Sequence, residues 1–315
     1  MSPRLIMKLS VAEVRRDRGD VMVVTLKHPR RPLLPAFTAG AHVDVHLSEG
    51  RVRQYSLCND PADASFYRLA IKREQEGRGG SISLQDHLAP GATLQVSAPR
   101  NHFALSSEAT RHVLLAGGIG ITPILAMSHA LGAGTTPFEV HYFTRGSALT
   151  PLIDDIARLP CADRLSYHYD DDPGTRVDLA ALLASPAPGT HLYCCGPSGF
   201  MNAVREAAAG WLPAALHFEA FQVAADEGFV AEPFTMVLRS GRRIEVSGEQ
   251  TALQALRQAG IDHPSSCETG ICATCECGYL EGEAIHRDAI LSPQAKLTRF
   301  MPCVSRAKGT LKLDL

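Results

Sequence analysis

Five of the nine cysteines in this 315-residue chain fall in its last fifty residues: Cys267, Cys272, Cys275, Cys277 and Cys303. A run of thiols this dense obliges the surrounding chain to fold as a loop around whatever the sulfurs hold. The other four, Cys58, Cys161, Cys194 and Cys195, are scattered. The total is odd, and the N-terminal MSPRLIMKLSVAEVRR meets charge early and carries no continuous apolar stretch, so it does not read as an export signal. A disulfide framework is therefore disfavoured, metal or redox chemistry is the better reading, and a cytoplasmic location is expected.

The spacing is Cys267-x4-Cys272-x2-Cys275 followed by the distant Cys303. That spacing is the plant-type arrangement of four thiolates around a [2Fe–2S] cluster. Structural zinc is the alternative, although it usually takes paired C-x2-C or Cys/His knuckles, and here the distal ligand is single. Gly270, Ala273 and Thr274 are small, which lets backbone amides approach the sulfurs. Cys277 lies outside the pattern and reads as a buried strand residue. Between Cys267 and His286 stand Glu268, Glu276, Glu281 and Glu283 with no Lys or Arg, a negative face that could steer a basic partner or a merely solvated loop.

A net charge of −2 gives no field to draw nucleic acid or an anionic membrane. The longest apolar stretch, from Val113 to Met127, is interrupted by Gly117, Gly118, Gly120 and Pro123 and is too short to span a bilayer. With 45% hydrophobic and 20% charged residues the chain should bury sizeable cores, and its length predicts two or three domains. The first hundred residues alternate strand-like runs (Val21 to His28, Ala41 to Leu47, Phe66 to Arg73, Ala92 to Pro99) with turn residues, as in an antiparallel barrel or sandwich. From HVLLAGGIG onward, short apolar strands alternate with helices, which predicts a parallel α/β sheet. Phe221 to Pro233 reads as a linker, followed by a hairpin around Ser240-Gly241, a helix over Thr251 to Ala259 and the cysteine loop.

Three further segments carry chemistry. In Arg53-Gln54-Tyr55-Ser56, the Arg can hold a phosphate, the Tyr ring can pack on a planar heterocycle and the Ser hydroxyl can bond a ring nitrogen; a half-exposed strand is the plainer alternative. Gly77-Arg78-Gly79-Gly80-Ser81 opens a predicted helix whose free amides suit a phosphate. Gly117-Gly118-Ile119-Gly120-Ile121-Thr122-Pro123 and Cys195-Gly196-Pro197 each end a buried strand and open a helix. Two such turns on one sheet make a nucleotide crevice at the strands' carboxyl ends.

The segment SCETGICATCECGYLEGEAIHRDAILS, continued by FMPCVSRAKG, resembles the C-terminal ferredoxin domain of the phthalate dioxygenase reductase family, and the other motifs resemble that family's remaining parts. The resemblance implies a flavin-binding antiparallel β-barrel (1–104), an NAD-binding α/β parallel-sheet domain (105–224) and an α+β plant-type ferredoxin domain of β-grasp form (229–315). It implies Arg53, Tyr55 and Ser56 on the flavin, Ile71 and Lys72 at its edge, and Gly80 and Ser81 on its phosphate. The coenzyme would meet Gly117, Gly118, Gly120, Thr122, Pro123, Arg145, Cys195, Gly196 and Pro197, with Thr122 and Cys195 flanking the nicotinamide. Phe221 would cover the flavin ring with Glu219 close by, so that Ser56, Thr122, Cys195 and Phe221 form the catalytic set. Cys267, Cys272, Cys275 and Cys303 would hold the [2Fe–2S] cluster.

FMN is expected over FAD from the domain order, and NADH over NADPH because Asp170-Asp171-Asp172 would repel a 2′-phosphate. The implied function is an NADH-dependent reductase passing electrons to a Rieske-type oxygenase that acts on aromatic rings, with a monomer favoured. A cluster-holding sensor or scaffold without turnover is the alternative, and no Rieske C-x-H and C-x-x-H pair supports oxygen activation within the chain. The family is expected to carry Gly after the second ligand, where this chain has Ala273.

Overall fold

The computed structural model describes residues 5–47, 52–75, 79–221, 229–292 and 294–315. The chain divides into two compact units, Met1–Glu219 and Ala220–Leu315. Among the described residues, no helix is long and apolar enough to cross a membrane.

The first unit begins with six antiparallel strands: β1 (Ile6–Asp17), β2 (Val21–Lys27), β3 (His42–His46), β4 (Val52–Ser56), β5 (Tyr67–Lys72) and β6 (Thr93–Ser97), ordered β4-β3-β6-β1-β2-β5. An antiparallel bridge from Leu57, just past β4, to Leu69 in β5 joins the two edges and closes the sheet into a barrel. Alternate side chains such as Leu9, Val24, Val43, Leu69, Ile71 and Val96 fill its interior. α1 (Gly80–His87) crosses between β5 and β6. The strand β1, the longest, is not among those read from the sequence. Beyond a bulge at Val11 to Glu13 its residues turn charged, because Arg15 reaches out of the barrel to the next layer.

That layer is a parallel sheet of β7 (Arg111–Gly117), β8 (Phe138–Thr144), β9 (Leu165–Tyr169), β10 (Thr190–Cys195) and β11 (Leu216–Glu219) in the order β11-β10-β7-β8-β9. The helices α2 (Ile121–Gly132), α3 (Ile153–Ile156), α4 (Leu179–Leu183) and α5 (Ser198–Ala207) connect its strands. Six consecutive buried residues in β7 reflect a central strand covered on both faces. After β7 the chain adds β8 and β9 on one side, then crosses to add β10 and β11 on the other. This reversal creates a switch point between β7 and β10, where a doubly wound sheet opens a crevice.

The second unit is a mixed sheet, β13-β12-β16-β14-β15, built from β12 (Phe234–Val237), β13 (Arg243–Val246), β14 (Cys277–Ile285), β15 (Arg299–Phe300) and β16 (Arg306–Leu313). β16 pairs parallel with β12 and antiparallel with β14. The helix α6 (Ala252–Gln258) packs Ala252, Ala255 and Leu256 onto this sheet, and a Thr251–Gln254 capping box fixes its start.

Asp155 on α3 binds the barrel to the parallel layer. It meets Arg15 of β1 at 2.5 Å and Arg68 of β5 at 3.6 Å. Trp211, the single tryptophan, is buried in the same unit with its indole donating to Leu183 O, so its fluorescence reports that unit's unfolding. Asp155→Asn leaves the guanidinium groups of Arg15, Arg68 and Arg158 facing a neutral amide and is expected to cost the first unit about 1–3 kcal/mol. A Trp211-monitored urea midpoint equal to wild type would contradict this.

Candidate functional site

The barrel's candidate phosphate site is assembled from two elements. Gly79, with φ of 75°, turns the chain into α1, and a Cβ added to Gly80 would stand 2.7 Å from Arg53 Nε. The guanidinium of β4 therefore abuts the free amides of the helix start, a combination suited to a phosphate dianion. Ser81 Oγ accepts from Glu74 N at 3.0 Å. Gly77 and Arg78 of the same motif lie outside the described residues. Tyr55 is half-buried, and burial pushes its hydroxyl pKa up. Ile71 is fully buried in the barrel core; Lys72 is exposed, 3.7 Å from Glu74.

At the switch point the two glycine turns interlock. A Cβ on Gly120 would fall 2.1 Å from Cys195 O, and one on Gly117 would fall 2.9 Å from both Phe200 and Pro197. Only glycine permits this approach, which brings Thr122 and Cys195 to one place. Thr122 is buried, with its hydroxyl on Ile119 O at 3.2 Å, and Pro123 is buried behind it in α2. Gly118, at φ +54°, completes the turn. Phe200, unremarked in the sequence, packs its ring on Gly117 and Gly196; its place three residues after Pro197 in the first turn of α5 was the available signal.

Cys195 lies opposite Glu219 in the parallel register of β10 and β11, and Ser56 Oγ donates to Glu219 Oε2 at 3.4 Å. Three residues far apart in the chain thus converge where the barrel meets the crevice. Burial pushes the Glu219 carboxyl up to about 8, with the Ser56 hydrogen bond acting in the opposite sense, and burial drives the Cys195 thiol well above its ordinary value. Phe221, two residues beyond Glu219, belongs to the second unit and is half-buried. Arg145 is exposed at the carboxyl end of β8, and its carbonyl accepts from Asp171 N at 3.1 Å.

In the second unit all four cysteines of the spacing motif are buried and free. They are arranged as two hydrogen-bonded pairs, Cys267 with Cys272 and Cys275 with Cys303. Sharing a proton pushes one sulfur of each pair down, Cys267 and Cys275, and its partner up. Amides of Thr269 and Ile271 also donate to Cys267, and that of Gly270 to Cys303. Two pairs of soft, amide-solvated donors fit a group of two metals with two thiolates on each. Cys277 is buried on β14 with its sulfur toward Phe300 O, in the sheet core.

The four acids between Cys267 and His286 are each paired with a cation. Glu268 pairs with Arg257 at 2.6 Å, Glu276 with Arg299 at 3.4 Å, Glu281 with Lys312 at 3.0 Å and Glu283 with Lys308 at 2.5 Å. Every cation comes from a neighbouring element outside the sequence window that looked purely acidic. Ala273 sits at φ 52°, in the left-handed region where glycine carries no penalty.

The family model for the 2Fe-2S iron-sulfur cluster binding domain matches residues 236–308, the oxidoreductase FAD-binding domain matches 8–105, and the N-terminal domain of dimethylamine monooxygenase subunit DmmA-like proteins matches 94–212. The phthalate 4,5-dioxygenase oxygenase reductase subunit of Pseudomonas putida is 42% identical over 296 residues, covering 92% of this chain and 91% of its own. A solved phthalate dioxygenase reductase, described as a modular structure for electron transfer from pyridine nucleotides to [2Fe–2S], is 38% identical with a TM-score of 0.77, and the match covers 98% of both chains. An intact type IV self-sufficient cytochrome P450 monooxygenase matches with a TM-score of 0.85 at 39% identity, covering 98% of this chain and 41% of that one.

Two outcomes follow from this geometry. Glu219 keeps its proton when folded up to about pH 8 but loses it near 4.5 when unfolded. Unfolding between those values releases a proton, so the first unit should lose stability as pH rises from about 4.5 to about 8 and level off above. Flavin-free Glu219→Gln should lack that component, and equal slopes of the Trp211-monitored midpoint against pH for both proteins would contradict it. Ala273→Gly should raise the stability of the second unit by about 1 kcal/mol by removing the left-handed penalty. An unchanged or lower urea midpoint would contradict that.

Proposed function

The chain belongs to the phthalate dioxygenase reductase family, and from that membership we propose that it takes electrons from NADH and delivers them one at a time to a separate oxygenase. The observation that carries this reading is the pair of buried thiol pairs in a chain that also builds a phosphate-ready barrel and a switch-point crevice. When bound, a flavin accepts a two-electron hydride and releases single electrons, and a [2Fe–2S] cluster carries them onward.

The chain's own residues supply placement. Arg53, with the amides of Gly80 and Ser81, would hold the flavin phosphate. The Ser56 hydroxyl would lie at the reacting edge, and Glu219 beside it would hold a proton on its carboxyl at neutral pH. Thr122 and Cys195, both buried, would wall the nicotinamide from water, while Gly117, Gly118, Gly120, Pro123, Gly196 and Pro197 shape the turns that receive it. The part assigned to Phe221 rests on the resemblance alone. Cys267, Cys272, Cys275 and Cys303 would hold the two irons, two thiols to each.

The bound flavin is FMN, by the domain order, with boundaries near 104 and 224–229. NADH is favoured because Asp171 lies against Gly146, next to Arg145, where a 2′-phosphate would meet repulsion. The acceptor is a Rieske-type oxygenase, the protein acts as a monomer, and its free thiols suit the cytoplasm.

Cys303→Ser removes one thiol from one pair. Cytochrome c reduction through the cluster should fall at least roughly tenfold, while NADH still bleaches the flavin within about twofold of the wild-type rate. Loss of both activities together, or of neither, would contradict the assignment.

A further inference from the structure

Two histidines on the parallel sheet, His141 and His168, have no part in the chemistry above yet are joined by stacking and by a ring-to-ring hydrogen bond. His168 on β9 stacks on Phe143 of β8, with centroids 4.6 Å apart, and on His141, at 5.2 Å. Its Nε2 lies 2.9 Å from His141 Nδ1 and its Nδ1 lies 2.6 Å from Thr175 O. A carbonyl oxygen can only accept, so His168 Nδ1 donates to Thr175. The ring is thus clamped by stacking on both neighbours and spends one nitrogen on a residue beyond the end of its own strand.

Thr175 closes the turn that carries Asp170, Asp171 and Asp172. Its Oγ1 accepts from Tyr169 N at 2.8 Å and donates to Asp172 O at 2.9 Å, and Gly174 N donates to Asp172 Oδ1 at 3.0 Å. On the other side Asp170 N and Asp171 N donate to the carbonyls of Thr144 and Arg145, both at 3.1 Å. Held from both ends, the turn presses the Asp171 carboxylate against Gly146, so closely that a Cβ there would stand 2.1 Å from Asp171 Oδ2. The carboxylate is thereby fixed beside Arg145 at the carboxyl end of β8, on the lip of the crevice where a dinucleotide's ribose is read.

We infer that His168 is a positioning residue for coenzyme choice: by holding Thr175 O it fixes the acidic turn so that Asp171 accepts from the ribose hydroxyl and turns away a 2′-phosphate. The inference rests on the NADH reading above and adds a residue that touches no coenzyme atom.

The test uses the loaded full-length protein and the unreactive oxidised coenzymes NAD+ and NADP+, with dissociation constants from titration calorimetry. Wild type should bind NAD+ more tightly. His168→Leu should shrink the NADP+ to NAD+ ratio of dissociation constants roughly three- to tenfold, the scale of one lost hydrogen bond. The loss of NADH turnover should fall on KM rather than kcat. His168→Asn, whose amide N–H stands near the Nδ1 position, should recover most of the ratio. Thr175→Val keeps the carbonyl that His168 holds but removes the Oγ1 bonds to Tyr169 N and Asp172 O that brace the same turn, and it should shift the ratio in the same direction. A wild-type ratio in His168→Leu, or His168→Asn as impaired as His168→Leu, overturns the positioning role, and a wild-type ratio in Thr175→Val overturns the claim that fixing this turn sets coenzyme choice. Equal binding of NAD+ and NADP+ by the wild type overturns the NADH reading itself, a result read without any variant.

Discussion

Four buried thiols must be held in two close pairs, and the second unit is organised around that requirement. One pair forms within the loop before β14, whereas the other needs Cys303, delivered by the chain just ahead of β16. Bringing the distant sulfur home depends on α6, whose Leu253 packs with Cys275, Met301 and Cys303 and whose Leu253 N donates to Pro302 O at 2.9 Å. The loop itself is drawn back to the unit's body by Arg257 to Glu268, by His263 to Cys275 O at 2.9 Å and by Ala289 N to Gly270 O at 3.1 Å. Sulfurs with raised or lowered proton affinity, surrounded by amide donors, are what a soft cationic group would find there.

The first unit meets a different constraint, which is contact between two backbones. Gly120 against Cys195 O leaves no room for a side chain, so the turns after β7 and β10 are locked together. Because strand order reverses between those two strands, the locked turns stand at the mouth of the crevice. The barrel contributes Ser56 to the same place through Glu219, and Asp155 with Arg15 and Arg68 holds the two layers in register for that contact.

Much of this was legible because the relevant signals are local. Cysteine spacing, glycine turns after apolar strands and the helix start at Gly80 are each written within a dozen residues. What was not legible depends on pairing across the chain. Ser56 and Glu219 are 163 positions apart, and only the β10–β11 register sets Glu219 beside Cys195. The segment from Cys267 to His286 looked acidic for the same reason: Arg257, Arg299, Lys308 and Lys312 arrive from α6, β15 and β16. Along β5, alternation sends the Ile71 side chain into the barrel core. Ala273 departs from the glycine expected there, but its backbone angle, which gives the departure an energetic meaning, is a property of the fold.

Two thiol pairs that hold one binuclear iron–sulfur group in a flavoprotein fix the metal, sulfide and flavin content of the chain. Iron, zinc and acid-labile sulfide analysis of anaerobically purified protein tests it most directly. About two irons and two sulfides per chain with one flavin are expected. About one zinc per chain with no sulfide would contradict it.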